Sequence, residues 1–204
     1  MKVSCVLAVH ELDGVPADLV VFPEGISRLD LDAAQLSHPN AFIAAAIEEN
    51  GCCRGILMHQ RRNRIEYLKI GSDGRTVGSR NICQSPVYQA ANVCVGMIIC
   101  MDVNNPVFLR TVVDKIRSST ASQKFLCIPA DMDANWFVGD KLAFPQEFGG
   151  VHVVVCNHTK TYPDIRCASF ITDTLGTKIK VQRQHEPIHA ELTPPDPISW
   201  PGPM

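Results

Sequence analysis

The sequence predicts a layered α/β protein, with a mixed sheet or two sheets back to back, covered by helices. Three observations predict it. Apolar runs of strand length recur at 3–9, 18–22, 52–59, 93–99, 125–128 and 151–156. Stretches of helical composition or 3.6-residue periodicity lie between some of them. Hairpin signals intrude at 59–77 and 168–181, so antiparallel neighbours join any parallel ones.

The elements follow in order. Val3 to Val9 is a buried strand, and Glu11 to Pro16 is a turn. Asp18 to Phe22 is a second strand, stopped by Pro23. Ser37 to Asn40 starts a helix, the alanine-rich run Ala41–Asn50 continues it, and Gly51 caps it. Cys52 to His59 is a strand. The turn 61–64 returns the chain as Ile65–Ile70, and Gly71-Ser72-Asp73-Gly74 turns it again into a strand starting at Thr76-Val77. Val93 to Ile99 is apolar throughout. Val107 to Ser118 is helical, with apolar residues at 108, 109, 112, 113 and 116. Phe125–Ile128 is a short buried strand, 135–148 a helix and Val151–Cys156 a strand. Residues 168–172 and 178–181 form a hairpin around Leu175-Gly176. Five prolines in 193–204 make the tail an extended arm. No internal repeat recurs at a fixed period.

The 204 residues suit one domain with a proper core. Hydrophobic residues at 46% and charged residues at 20% exclude disorder and collagen-like repeats. A net charge of −2 gives no footprint for nucleic acid, and the densest basic stretch, Gln60–Arg64, reads as a solvated turn. The apolar start Met1–Val9 is too short for a signal peptide, and no run is long enough to span a membrane. The nine cysteines are odd in number and mostly lie in apolar runs, which predicts a reduced, cytoplasmic protein. Adjacent Cys52 and Cys53 start a strand, point to opposite faces and read as core. His185-x-x-x-His189 has a metal spacing, but Pro187 breaks the helix it needs, so no metal and no cofactor is expected.

Three places stand out for chemistry. Glu24 follows the strand Asp18–Phe22 and Pro23, at a sheet rim where open α/β folds bind ligands. Cys100 sits between an apolar strand and a helix, the layout of a nucleophile elbow. Asn157 and His158 end a strand, where they face a ligand. By position alone each has a plainer reading: a solvated loop carboxylate, an inert buried thiol, and a turn.

In their joint order these segments resemble the nitrilase (carbon–nitrogen hydrolase) superfamily. The matching pieces are Phe22-Pro23-Glu24, then Gly96-Met97-Ile98-Ile99-Cys100-Met101-Asp102 with Pro106, then Phe125–Ala130, Val153–Asn157 and Ser169–Gly176. The resemblance covers most of 1–182. It implies a shortened four-layer α-β-β-α sandwich, with a hydrolase-like domain at 1–182 and a Pro-rich arm at 183–204. It further implies a small amide, nitrile or carbamoyl substrate, Glu24 as general base and Cys100 as nucleophile. Met101 (through its N–H), Asn104, Asn157 and His158 are the implied substrate contacts. The implied assembly is a homodimer or higher homo-oligomer.

The sequence departs from that pattern in three ways. The family's catalytic Lys is expected after the Asp-Gly hairpin, and 75–82 contains none. Arg80 is the nearest cation there, and Lys69 is set aside as lying on the wrong side of the turn. Only residues 10–17 link the first two strands, where the family carries a helix. The Arg expected four residues after the Cys is Asn104. Two functions therefore stay open: a C–N hydrolase, or a non-catalytic member that binds a ligand or partner in the same cleft.

Overall fold

The computed structural model describes residues 1–60, 63–69, 86–131, 148–157, 169–181 and 186–193. Among the described residues twelve strands form two sheets of six. The first contains β1 (Lys2–Cys5), β2 (Leu19–Ile26), β3 (Phe42–Glu49), β4 (Cys52–His59), β5 (Asn63–Leu68) and β12 (Ile188–Glu191), in the order β12-β1-β2-β3-β4-β5. The second contains β6 (Val87–Ala90), β7 (Val93–Met97), β8 (Gln123–Ala130), β9 (His152–Asn157), β10 (Phe170–Thr172) and β11 (Lys178–Val181), in the order β11-β10-β9-β8-β7-β6. In each sheet three parallel strands, β1-β2-β3 or β7-β8-β9, are flanked by antiparallel ones.

The layers follow from which side chains each strand turns inward. Leu19, Val21, Ala44, Ala46 and Leu57 share one core with Val95, Met97 and the buried face of α2 (Pro106–Arg117). Val20, Phe22, Ile43, Ala45, Ile47 and Ile56 point the other way and bury Leu31 and Ala34 of α1 (Arg28–Ser37). The result is the expected α-β-β-α sandwich. Contact between the second sheet and α2 depends on Gly96. A Cβ there would sit 2.5 Å from Ile116 Cδ1 and 3.1 Å from Val112 Cγ1.

Several expectations need correction. Residues 41–50 are not a helix but the buried strand β3. Its apolar run is buried on both faces, and small alanines there let layers approach on each side, so packing overrides the helix preference of Ala. Gly51 is accordingly not a helix cap. Asn50 (φ 55°) and Gly51 (φ 73°) are the two left-handed residues of a tight β3–β4 hairpin, with Glu49 paired to Cys52. The helix lies earlier, at α1, where the Ser27 hydroxyl accepts the Asp30 N–H at 3.1 Å as an N-cap. The strand at 18–22 does not stop at Pro23 but continues through a bulge to Ile26. Residues 188–191, read from sequence as part of a free arm, pair antiparallel with β1 as an edge strand. One 3₁₀ turn, Val9–Leu12, lies in the short link between β1 and β2. The hairpin at 71–77, the helix at 135–147 and the tail from 194 lie outside the described residues.

Candidate active site

The β2 bulge decides where Glu24 points. Val21 pairs with Ala44, and Glu24 pairs with Ala46, so three residues of β2 span two of β3. In regular alternation Glu24 would share the outer face with Val20 and Phe22. The extra residue turns it onto the inner face, toward the second sheet. A second irregularity returns Ile26 to the outer core.

Cys100 arrives from the other sheet. The chain leaves β7, and at Cys100 it adopts φ 44°, a left-handed conformation that a side-chain-bearing residue rarely takes. The turn Cys100–Asn104 follows, then α2, whose first turn is capped by Asn105 accepting from Phe108 N–H at 3.1 Å. This is the strand–turn–helix elbow that the sequence predicts, and the strain falls on the candidate nucleophile. The thiol is 2% exposed and donates to the Asp131 carbonyl at 3.7 Å.

The third group is Lys69, the residue set aside from sequence. β4 and β5 form an antiparallel hairpin around residues 60–62, and Lys69 continues β5 with its N–H donating to Cys53 O at 3.0 Å. Its ammonium donates to Glu24 Oε1 at 2.6 Å, a largely enclosed ion pair. The 71–74 hairpin and the residues that follow it lie outside the described residues. Period two along Tyr67 and Lys69 was the available signal, because it places Lys69 on the face of a buried aromatic. Arg80 and His158 lie outside the described residues.

A fourth group, Cys53, was read from sequence as core. It shares the inner face with Gly55 and stands beside Lys69, the partner of Glu24, whose charge acts on its thiol. Gly55 makes room here: a Cβ would come within 2.5 Å of Tyr67 Cε1 and 2.9 Å of Ile99 Cδ1. The Tyr67 hydroxyl is buried without a hydrogen-bond partner among the described residues, and Asp102, just past the elbow, is buried as well.

The electrostatics are uneven. Burial and then the Glu24 charge push the Cys100 thiol up to about 12, with Lys69 pulling the other way. The same two causes raise Cys53. Burial pulls Lys69 down, but its pairing with Glu24 and the acidic groups around it leave it raised overall, so it stays an ammonium. Glu24 Oε2 is out of solvent and has no hydrogen-bond partner. The arrangement thus holds a neutral thiol, a carboxylate with one oxygen uncommitted, and a fixed cation. That set can take a proton from sulfur and stabilise a nearby negative oxygen.

Of the implied substrate contacts, Met101 and Asn104 lie on the turn after Cys100, with the Asn104 amide donating to Met101 Sδ at 3.9 Å. Asn157 ends β9, buried, its N–H donating to Ser169 Oγ at 3.0 Å. Among the described residues no group of three His, Cys, Asp or Glu side chains is arranged to hold a metal ion, and no helix is long and apolar enough to cross a membrane.

No protein-family model and no curated protein matches the sequence. Solved structures do match. The NitN amidase from Nesterenkonia sp. AN1 is 15% identical, with a TM-score of 0.66 over 96% of this chain and 93% of that one. Saccharomyces cerevisiae Nit3, a member of branch 10 of the nitrilase superfamily, is 14% identical, with a TM-score of 0.65 over 95% of this chain and 90% of its own. XC1258 from Xanthomonas campestris, a CN-hydrolase superfamily protein, is 15% identical, with a TM-score of 0.59 over 93% and 89%. With its two six-stranded sheets and flanking helices matching over nearly its whole length, the chain has the fold of the nitrilase superfamily.

Proposed function

We propose that the protein is a cysteine-dependent carbon–nitrogen hydrolase acting on a small amide. One observation carries this reading: Lys69 Nζ stands 2.6 Å from Glu24 Oε1, and the charges of this pair act on the buried thiol of a left-handed Cys100. The amidase activity of the structural neighbours supports it. Glu24 takes the Cys100 proton, and the thiolate attacks the amide carbon. Lys69 and the Met101 N–H balance the charge that develops on oxygen. Glu24 returns the proton to the departing amine, leaving a thioester. Water, deprotonated by the same carboxylate, then releases the acid.

In this reading Lys69 takes the role that Arg80 was expected to fill. Met101, Asn104 and Asn157 are the proposed substrate contacts, with His158 added from its sequence position. The seven free cysteines of the described residues suit a reducing compartment such as the cytoplasm. A homodimer is the assembly proposed from the resemblance.

The test is a panel of acetamide, propionamide and butyramide, with ammonia release as the readout. Cys100→Ala and Glu24→Gln are expected to remove turnover. Lys69→Met is expected to cost about 10²–10³ in kcat, the usual loss for one oxyanion donor, while Arg80→Met leaves it near wild type. Equal residual rates for wild type and Cys100→Ala would reject the proposal.

A further inference from the structure

The site holds one thiol more than hydrolysis needs. Cys53 is fixed beside Lys69 by the β4–β5 backbone, Lys69 N–H donating to Cys53 O at 3.0 Å. It faces inward in line with Gly55, over whose absent Cβ the end of the Cys100 strand closes in. Glu24, held by the Lys69 ammonium at 2.6 Å, is the charged neighbour that both thiols share, and its Oε2 is buried with no hydrogen-bond partner. Adjacent Cys52 takes the opposite face, as β-strand alternation requires.

We propose that Cys53 and Cys100 are a redox pair, in which a hydroperoxide converts the two thiols to an intrachain disulfide that closes the site. The inference rests on Cys100 being the reactive thiol of the reading above. In the first step Glu24 takes the Cys100 proton and the sulfur attacks the outer peroxide oxygen. The O–O bond breaks, the sulfur becomes a sulfenic acid, and the leaving alkoxide or hydroxide receives the proton from Glu24. In the second step Glu24 takes the Cys53 proton and the Cys53 sulfur attacks the sulfenic sulfur. The S–O bond breaks, the S–S bond forms, and hydroxide leaves as water with that proton. Two thiols lose two electrons and two protons, and the hydroperoxide is reduced to an alcohol (or water) and a further water. A resolving thiol here keeps Cys100 from advancing to the irreversible sulfinic acid.

The experiment uses the full chain carrying Cys52→Ser, so that a linked peptide identifies Cys53. The reduced protein is first labelled with iodoacetamide at pH 9.5; labelling of Cys100 checks the reading on which the inference rests. A second sample is treated with hydrogen peroxide, quenched with N-ethylmaleimide, digested without reductant and mapped by mass spectrometry. The expected result is a 53–100 linked peptide that disappears on reduction with dithiothreitol, and a Cys53→Ser variant whose Cys100 proceeds to sulfinic acid. Labelled Cys100 with no linkage, and Cys53 recovered as its maleimide adduct, would overturn the redox pair while leaving the hydrolase reading intact. Failure of Cys100 to label in the reduced protein would overturn both.

Discussion

Cys100 carries opposing influences that can be separated one residue at a time. Burial and then the charge of Glu24 raise its pKa to about 12, with Lys69 pulling the other way. An ordinary thiol titrates near about 8.5 and stops gaining reactivity above pH 9–10. Cys100 is expected to gain about tenfold in iodoacetamide labelling per pH unit from 8 to 11, with no plateau. At a fixed pH of 9.5, Glu24→Gln removes the charge that opposes the thiolate, so labelling is expected to speed up even though hydrolysis is lost. Lys69→Met removes the charge that favours it, and labelling is expected to slow. Rates by mass spectrometry test the order; a Glu24→Gln variant slower than wild type would contradict this electrostatic account. Glu24 and Cys100 were legible in the sequence because each ends an apolar run. Lys69 and Cys53 were not, because their membership depends on register across the β4–β5 hairpin and on which face each strand turns inward.

At the scale of single elements, what decides is whether a segment is covered on one face or two. The run Ala41–Asn50 has the composition of a helix, yet a central strand with cores on both sides needs small apolar residues at successive positions. Burial on both faces is a property of the assembled sheets, so local propensity misjudged it. The Asn50-Gly51 pair carried the right information, since two left-handed residues in succession make a hairpin rather than a helix end. The helix α2, with one covered face and a Pro106 start, was legible directly. Its fit against β7 depends on Gly96, so Gly96→Ala is expected to cost about 1–3 kcal/mol in urea denaturation, by overpacking against the branched Ile116 and Val112 side chains. β9 gives an element-level pH dependence. His152 stacks on Phe125 with ring centroids 5.2 Å apart, and Nδ1 is held by the Thr172 carbonyl at 2.9 Å. Burial lowers its pKa, partly offset by Thr172 and Asp173, and Nε2 is buried with no partner. The unfolded chain therefore binds the proton more readily than the folded one. The contribution of His152 is complete above the unfolded value of about 6.5 and declines as pH falls toward the lowered folded value. Urea midpoints between pH 7.5 and 5 are expected to fall less steeply in His152→Gln than in wild type.

Across the whole molecule the two sheets repeat one topology: an antiparallel edge, three parallel strands, then two antiparallel ones. No sequence period reveals this, because the joining segments differ, 6–18 between β1 and β2 but 98–122 between β7 and β8. The repeat explains the place of the site. Glu24 lies near the end of a parallel strand of one sheet and Cys100 follows one of the other, so the proposed pair spans the interface between halves. It also explains β12. The second sheet draws its antiparallel edge, β6, from the residues just before β7, whereas the first must draw its own from the far end of the chain. The segment 186–193 is thus structural, although its neighbours are rich in proline. Ile188 and Leu192 are buried in the shared core, Leu192 N–H donates to Met1 O at 2.8 Å, and Gln123 donates to Leu192 O at 3.3 Å, tying the two sheets together. Deleting residues 186–204 removes both side chains, worth about 1.5–3 kcal/mol each, and leaves β1 as an unpaired edge. The expected outcome is a loss of roughly 3–6 kcal/mol in urea denaturation together with association through the bared edge. Deleting only 194–204 separates the two parts of the tail, and its urea midpoint is expected to stay near that of the full chain. If the longer deletion left the midpoint equally unchanged, β12 would be dispensable and the first sheet would be complete with five strands.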